Sequence, residues 1–128
     1  MNLYIAMAVG FFVASLSDWL FMGVLFHDSY MAYPEVWRDA KDERGRILIA
    51  QAFSAMTSMG FVLLAAKLQI VRVESAIALA AMIWVTGPLP LLLGNHLFIK
   101  LDPKVTLGHA IGWLVKLSLM GCVTGLLL

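Results

Sequence analysis

The sequence predicts an all-α, polytopic membrane protein built as a four-transmembrane-helix bundle, and three observations carry that expectation. Of its 128 residues 62% are hydrophobic, and the mean hydropathy is +0.90, outside the range of soluble domains. The apolar residues are gathered into four runs, each about 20 residues long, the length at which a helix crosses a hydrocarbon core of about 30 Å. The connections between the runs are short and hold most of the charged side chains. A single domain over residues 1-128 is expected, with spans at about 3-26, 47-66, 75-93 and 105-128.

The first run, opening MNLYIAMAVGFF, has no positively charged leader and no small-residue cleavage site, so it is expected to remain as a transmembrane helix. Asp18 interrupts it. The connection HDSYMAYPEVWRDAKDERGR at 27-46 holds five acidic and four basic side chains. Its second half follows Pro34 and reads either as a short interfacial helix, with Tyr33 and Trp37 at headgroup level, or as a solvated loop.

The second run places Gln51, Ser54, Thr57 and Ser58 on one polar stripe by their three- and four-residue spacing. The tight connection KLQIVRVE then predicts that the second and third spans form an antiparallel hairpin. Pro88 and Pro90 break the third run, each removing an amide donor, as a packing kink or as a lining element. In the third connection Asp102 before Pro103 reads as a helix start, with Thr106 as the competing cap.

The last run carries His109 and Lys116, seven residues apart and near one face. Gly108, Gly112, Gly121 and Gly125 occur there as two pairs at four-residue spacing, which lets helix backbones approach closely within the bundle or between subunits. The lone Cys122 reads as a small apolar filler.

Basic residues orient the chain. Arg38, Lys41, Arg44, Arg46, Lys100 and Lys104 lie in the first and third connections, against Lys67 and Arg72 in the second. The positive-inside rule puts the first and third connections in the cytoplasm and both termini outside, in an inner-membrane, multi-pass arrangement. Counting about 1.5 Å per residue from the cytoplasmic ends then brings Asp18 and Lys116 to similar depth. A lone charge in hydrocarbon costs several kcal/mol, so an ion pair between them is the simplest way for both to stay charged. All four spans direct polar groups toward the same half of the bilayer, which predicts a polar pocket or a structural polar network there.

Other functions are disfavoured. The formal charge of +1 and the lack of a basic run argue against nucleic acid as a partner. His27, His96 and His109 with Asp18 or Asp102 match no metal-ligand spacing, so no metal site is expected. No phosphate loop, dinucleotide fingerprint, nucleophile elbow or cysteine pair is present, and no cofactor is indicated. An enzyme would have to assemble its catalytic set from Asp18, His109 and Lys116.

The C-terminal third, from Gly87 to Leu128, resembles a family of small bacterial four-span membrane proteins described only as a domain of unknown function. The residues that carry the likeness are Gly112, Trp113, Leu114, Val115, Leu117, Leu119, Met120 and Gly121. An aromatic-rich first helix and an extended polar loop extend it in architecture. The chain departs from that family's pattern by having Asp18 in its first helix and Lys116 in its last, a double departure that fits a compensating pair. The resemblance implies a fold and no activity. The leading expectation is a proton- or ion-coupled transporter or channel-like protein in the lipid bilayer, acting as a homodimer. A structural or accessory subunit, bound to a larger membrane complex through its glycine faces, comes second, and a membrane-embedded enzyme third.

Overall fold

The computed structural model describes residues 2–25, 28 and 43–128. Helix α1 spans Asn2–Asp18 and passes directly into a wider, π-helical segment, Trp19–Leu25. Helix α2 spans Glu43–Lys67, α3 Val73–Thr86, α4 Pro88–Phe98 and α5 Pro103–Leu127. No strand occurs among the described residues. Among the described residues, four stretches are long and apolar enough to cross a membrane: Asn2–Leu25, Arg44–Lys67, Val73–Phe98 and Pro103–Leu127. The third of these, α3 with α4, continues to Phe98 rather than ending near residue 93, because Asn95 and His96 stay helical. The expected interfacial helix after Pro34 lies outside the described residues up to position 42, and Glu43 to Arg46 form the first turn of α2.

Helix α5 is the centre of the bundle. It packs most extensively on α3 and α1, and more lightly on α4 and α2. Its buried face includes Val105, Gly108, Gly112, Leu117, Met120 and Gly121, a mixture of small and large side chains that lets two neighbours come close at once. Leu117 and Met120 join Ala14 of α1, Phe61 and Ala65 of α2, and Leu79 and Ala80 of α3 in one apolar cluster.

The expected hairpin of the second and third spans is not a packed pair. Helix α2 rests chiefly on α1, while α3 rests on α5, so the helices follow the order α2, α1, α5, α3. The reason lies in the small residues: Gly121 and Gly125 of α5 receive the start of α3 so closely that a Cβ at Gly125 would stand 2.6 Å from Val73 Cα.

The short connections are built from local hydrogen bonds. At the end of α2 the amide of Ile70 donates to the Ala65 carbonyl at 2.9 Å and that of Gln69 to Ala66 at 3.0 Å, the paired bonds of a Schellman motif. Gln69 occupies its left-handed position at φ 58. Between α3 and α4 the chain leaves helical geometry at Gly87 (φ −123, ψ −86), with Pro88 at the first position of α4. The Thr86 hydroxyl bonds back to the Met82 carbonyl at 2.9 Å. At the start of α5, Asp102 is the cap, accepting from the Lys104 amide at 2.8 Å. Thr106 does not cap. Its hydroxyl lies 3.1 Å from Nδ1 of His96 and ties the end of α4 to the start of α5.

Candidate functional site

The site is assembled from the α1–α2 contact outward. Ala6, Gly10, Ala14 and Ser17 form the buried face of α1, a row of small residues that admits α2 at close range. The approach is tight at Gly10, where a Cβ would stand 2.7 Å from the Ser58 hydroxyl. Three polar side chains of α2 are directed to α1. Ser58 donates to the Met7 carbonyl at 2.9 Å, Gln51 accepts from the Ser15 hydroxyl at 2.7 Å, and Ser54 donates to Asp18 Oδ2 at 2.9 Å.

Asp18 ends the α-helical part of α1, and the π-helical turn begins at the next residue. Insertions of this kind widen a helix locally and recur at functional sites. Here the segment sets Phe21 against Gly112 of α5, where a Cβ on the glycine would lie 3.4 Å from the Phe21 ring. The close approach gives Asp18 a short reach to the middle of α5. Lys116 Nζ stands 3.1 Å from Asp18 Oδ1 and 3.4 Å from Oδ2. The ammonium also lies 3.7 Å from the centroid of the Trp113 ring, within the range of a cation–π contact. The lysine is therefore compensated by a carboxylate and by the negative face of an indole, as a cation in apolar surroundings requires.

The two partners are unequally accessible. The Lys116 side chain is 6% exposed and that of Asp18 26%. The carboxylate is open to a recess of about 230 Å³ between α1 with its π segment, α2 and α5, a volume that holds several waters. Asp18, Ser54, Thr57, His109 and Lys116 supply its polar groups, while Phe21, Met22, Phe53 and Trp113 supply most of its apolar wall. The charge pair thus faces both a polar patch and an aromatic surface.

The residues singled out in the sequence separate into groups. Asp18, Lys116, His109, Ser54 and Thr57 share the recess with Gly108 and Gly112, whereas Gln51 and Ser58 do not line it. Those two are held by Ser15 and Met7 instead. Pro88 and Pro90 form a helix break away from the recess, to which neither α3 nor α4 contributes a lining residue. Gly121 and Gly125 meet Ala76 and Val73 of the same chain. His96 is held by Thr106, Cys122 is half-buried, and His27 lies outside the described residues. No group of three His, Cys, Asp or Glu side chains among the described residues is arranged to hold a metal ion.

Sequence reasoning missed Phe21, Met22 and Phe53. Phe21 and Met22 follow Asp18 by three and four positions, and Phe53 precedes Ser54. The helical spacing from Asp18 marks the first two as neighbours of the carboxylate. It also missed the row Ala6, Gly10, Ala14 and Ser17, whose three- and four-residue spacing was legible as a close-packing face.

Four apolar spans, with an acid–base pair between the first and the last, indicate a multi-pass membrane protein with an ionisable centre. Within that class the chain belongs to DUF1761, a family of proteins of unknown function whose model matches residues 5–125. No curated protein and no solved structure matches it.

Proposed function

We propose that this is a small inner-membrane protein that couples a proton or a small charged solute to the Asp18–Lys116 pair. The observation that carries the reading is the unequal exposure of that pair: a nearly closed ammonium is bonded to a carboxylate that is still open to a recess. A pair kept only for packing has no need of an accessible side, because apolar residues of similar volume hold helices together as well. An ionisable residue inside a span that faces a polar cavity is a marker of proton and ion pathways.

The recess is lined from the middle of α2, residues 50 to 57, from residues 108 to 116, mostly in the first half of α5, and from Asp18, Phe21 and Met22 in the last third of the first span. With the basic first and third connections in the cytoplasm, this half of the bundle opens to that side. The Asp18 carboxylate is then the group that exchanges protons or ligands with the cytoplasm, and Lys116 is its internal counter-ion.

The accessory-subunit reading has less support. The glycine faces on which it relied are covered inside the chain, Gly112 by Phe21 and Gly121 and Gly125 by α3. An enzyme reading requires a nucleophile free to act beside His109, whereas Ser54 donates to Asp18, Thr57 to the Phe53 carbonyl, and Lys116 is paired with Asp18.

Reconstitution into liposomes with an internal pH-sensitive dye tests the proposal. A pH gradient or an added charged solute is expected to produce dye-reported proton movement that Asp18→Asn abolishes. Equal signals from the wild type, Asp18→Asn and empty liposomes would overturn it.

A further inference from the structure

Lys116 is held in the way a ligand would be held. Its ammonium lies 3.1 Å from a carboxylate and 3.7 Å from an indole centroid, and a carboxylate beside an aromatic face is a pairing that recognises organic ammonium ions. The lysine side chain is itself an alkylammonium on a flexible apolar stem. The recess beside it continues the same chemistry, with Phe21, Met22 and Phe53 as apolar wall and Asp18 as the more open charge.

The sign of the accessible charge selects the ligand. A molecule in the recess meets the carboxylate more readily than the ammonium, because Asp18 is 26% exposed and Lys116 only 6%. An anion is therefore opposed, and a neutral molecule gains no charge partner. A bare inorganic cation needs five or more oxygens in place of its water. Among the described residues, the side-chain oxygens in the recess are those of Asp18, Ser54 and Thr57.

We infer that the recess takes small organic cations, ammonium ions with an apolar or aromatic substituent, and that Lys116 is a tethered competitor for the same carboxylate. This deepens the reading of an ion-coupled pair and rests on it. When a ligand ammonium occupies Asp18, two cations face one carboxylate in apolar surroundings, and the repulsion is relieved by loss of one charge. Lys116 gives its proton to water in the recess: the N–H bond breaks, its electron pair stays on Nζ, and the water carries the proton away. One organic cation enters for each proton that leaves, so the site keeps its net charge. Among the described residues, the titratable groups at this point are Asp18 from α1 and His109 on α5 itself, while α2 presents the hydroxyls of Ser54 and Thr57.

The test is calorimetric binding of benzylammonium to the purified full chain in detergent, with benzyl alcohol and benzoate as neutral and anionic comparisons. In two buffers of unequal ionisation enthalpy, the wild type is expected to bind benzylammonium and release one proton per ligand. The preference over benzyl alcohol is expected to be about tenfold or more, since only the cation satisfies Asp18. Lys116→Met removes the competitor, so it is expected to bind about tenfold more tightly and with no proton release. The same ligand is also expected to raise its melting temperature, a readout that persists if the variant is weakly folded without it. The double variant Asp18→Asn with Lys116→Met is expected to fold and not to bind. Equal binding of benzyl alcohol or benzoate overturns the inference, and so does a Lys116→Met protein that benzylammonium neither binds nor stabilises. Binding without proton flux in liposomes would sink the transport reading and leave the ligand class standing. Flux without benzylammonium binding would do the reverse.

Discussion

Asp18 and Lys116 are separated by 98 positions in the chain and by 3.1 Å in the fold. The contact closes the bundle from its first span to its last, through the two helices that also make one of its most extensive packing interfaces. Removing one member leaves the other charged in apolar surroundings, which for a buried pair costs about 3–5 kcal/mol. The partial exposure of Asp18 puts the expected loss for Lys116→Met at the lower end, about 3 kcal/mol. The double variant with Asp18→Asn is expected to recover to within about 1 kcal/mol of the wild type. Equilibrium unfolding of the four proteins of this cycle in mixed micelles measures the coupling, and additive losses would show that the two charges do not stabilise each other.

Ser54 donates to Asp18 Oδ2 at 2.9 Å and is itself buried. A hydrogen bond to an ionised group contributes about 1.5–3 kcal/mol to whichever state keeps it charged. Ser54→Ala is therefore expected to destabilise the folded protein by about 1–3 kcal/mol, because the carboxylate of the Asp18–Lys116 pair loses a donor. Ser54→Thr keeps the hydroxyl and is expected to lose less. Equilibrium unfolding of both variants in mixed micelles measures the difference, and equal stabilities for the wild type and Ser54→Ala would contradict it.

Gly125 and Gly60 predict opposite outcomes for the same substitution. A Cβ at Gly125 would meet Val73 Cα at 2.6 Å and the Arg72 carbonyl carbon at 3.0 Å. These are backbone atoms that cannot turn aside, so Gly125→Ala is expected to force α3 away from α5 and cost about 1–3 kcal/mol. Gly60 has nothing within 4 Å, and Gly60→Ala is expected to be neutral or to stabilise by up to about 1 kcal/mol through helix propensity. Thermal unfolding of both variants in one detergent separates the two cases, and equal losses would refute the close approach at Gly125.

The spans were legible because hydropathy and length suffice to mark them, and counting depth along two helices set Asp18 and Lys116 at similar levels without showing that the two meet. The arrangement of the helices was not legible in the same way. A short connection says that α2 and α3 run in opposite directions, but which faces meet depends on backbone clearance. That clearance is set by Gly121 and Gly125 on a helix distant in sequence. The polar stripe of α2 was visible, yet its members divide: Ser54 and Thr57 reach the recess, while Gln51 and Ser58 bond to α1. Such a division depends on rotation of α2 by a fraction of a turn. The π-helical turn after Asp18 left no mark in composition, since WLFMGVL fits an α-helix equally well.

Gln69 supplies the last prediction, at the turn that lets α2 lead into α3 without packing on it. It holds φ 58, a left-handed conformation in which an L residue brings Cβ near its own carbonyl and in which glycine is at ease. The two amide bonds from Gln69 and Ile70 to Ala66 and Ala65 require that conformation. Ile70 at the following position packs on the apolar cluster that contains Ala65, so the turn also seals one end of the core. Gln69→Gly is expected to keep both bonds, relieve the strain and raise stability by about 0.5–1 kcal/mol. Gln69→Val, branched at Cβ, is expected to lower it by a similar or larger amount. A rise in melting temperature for the glycine variant with a fall for the valine variant would establish the turn as described, whereas a fall for both would mean that the Gln69 side chain holds the turn by some other contact.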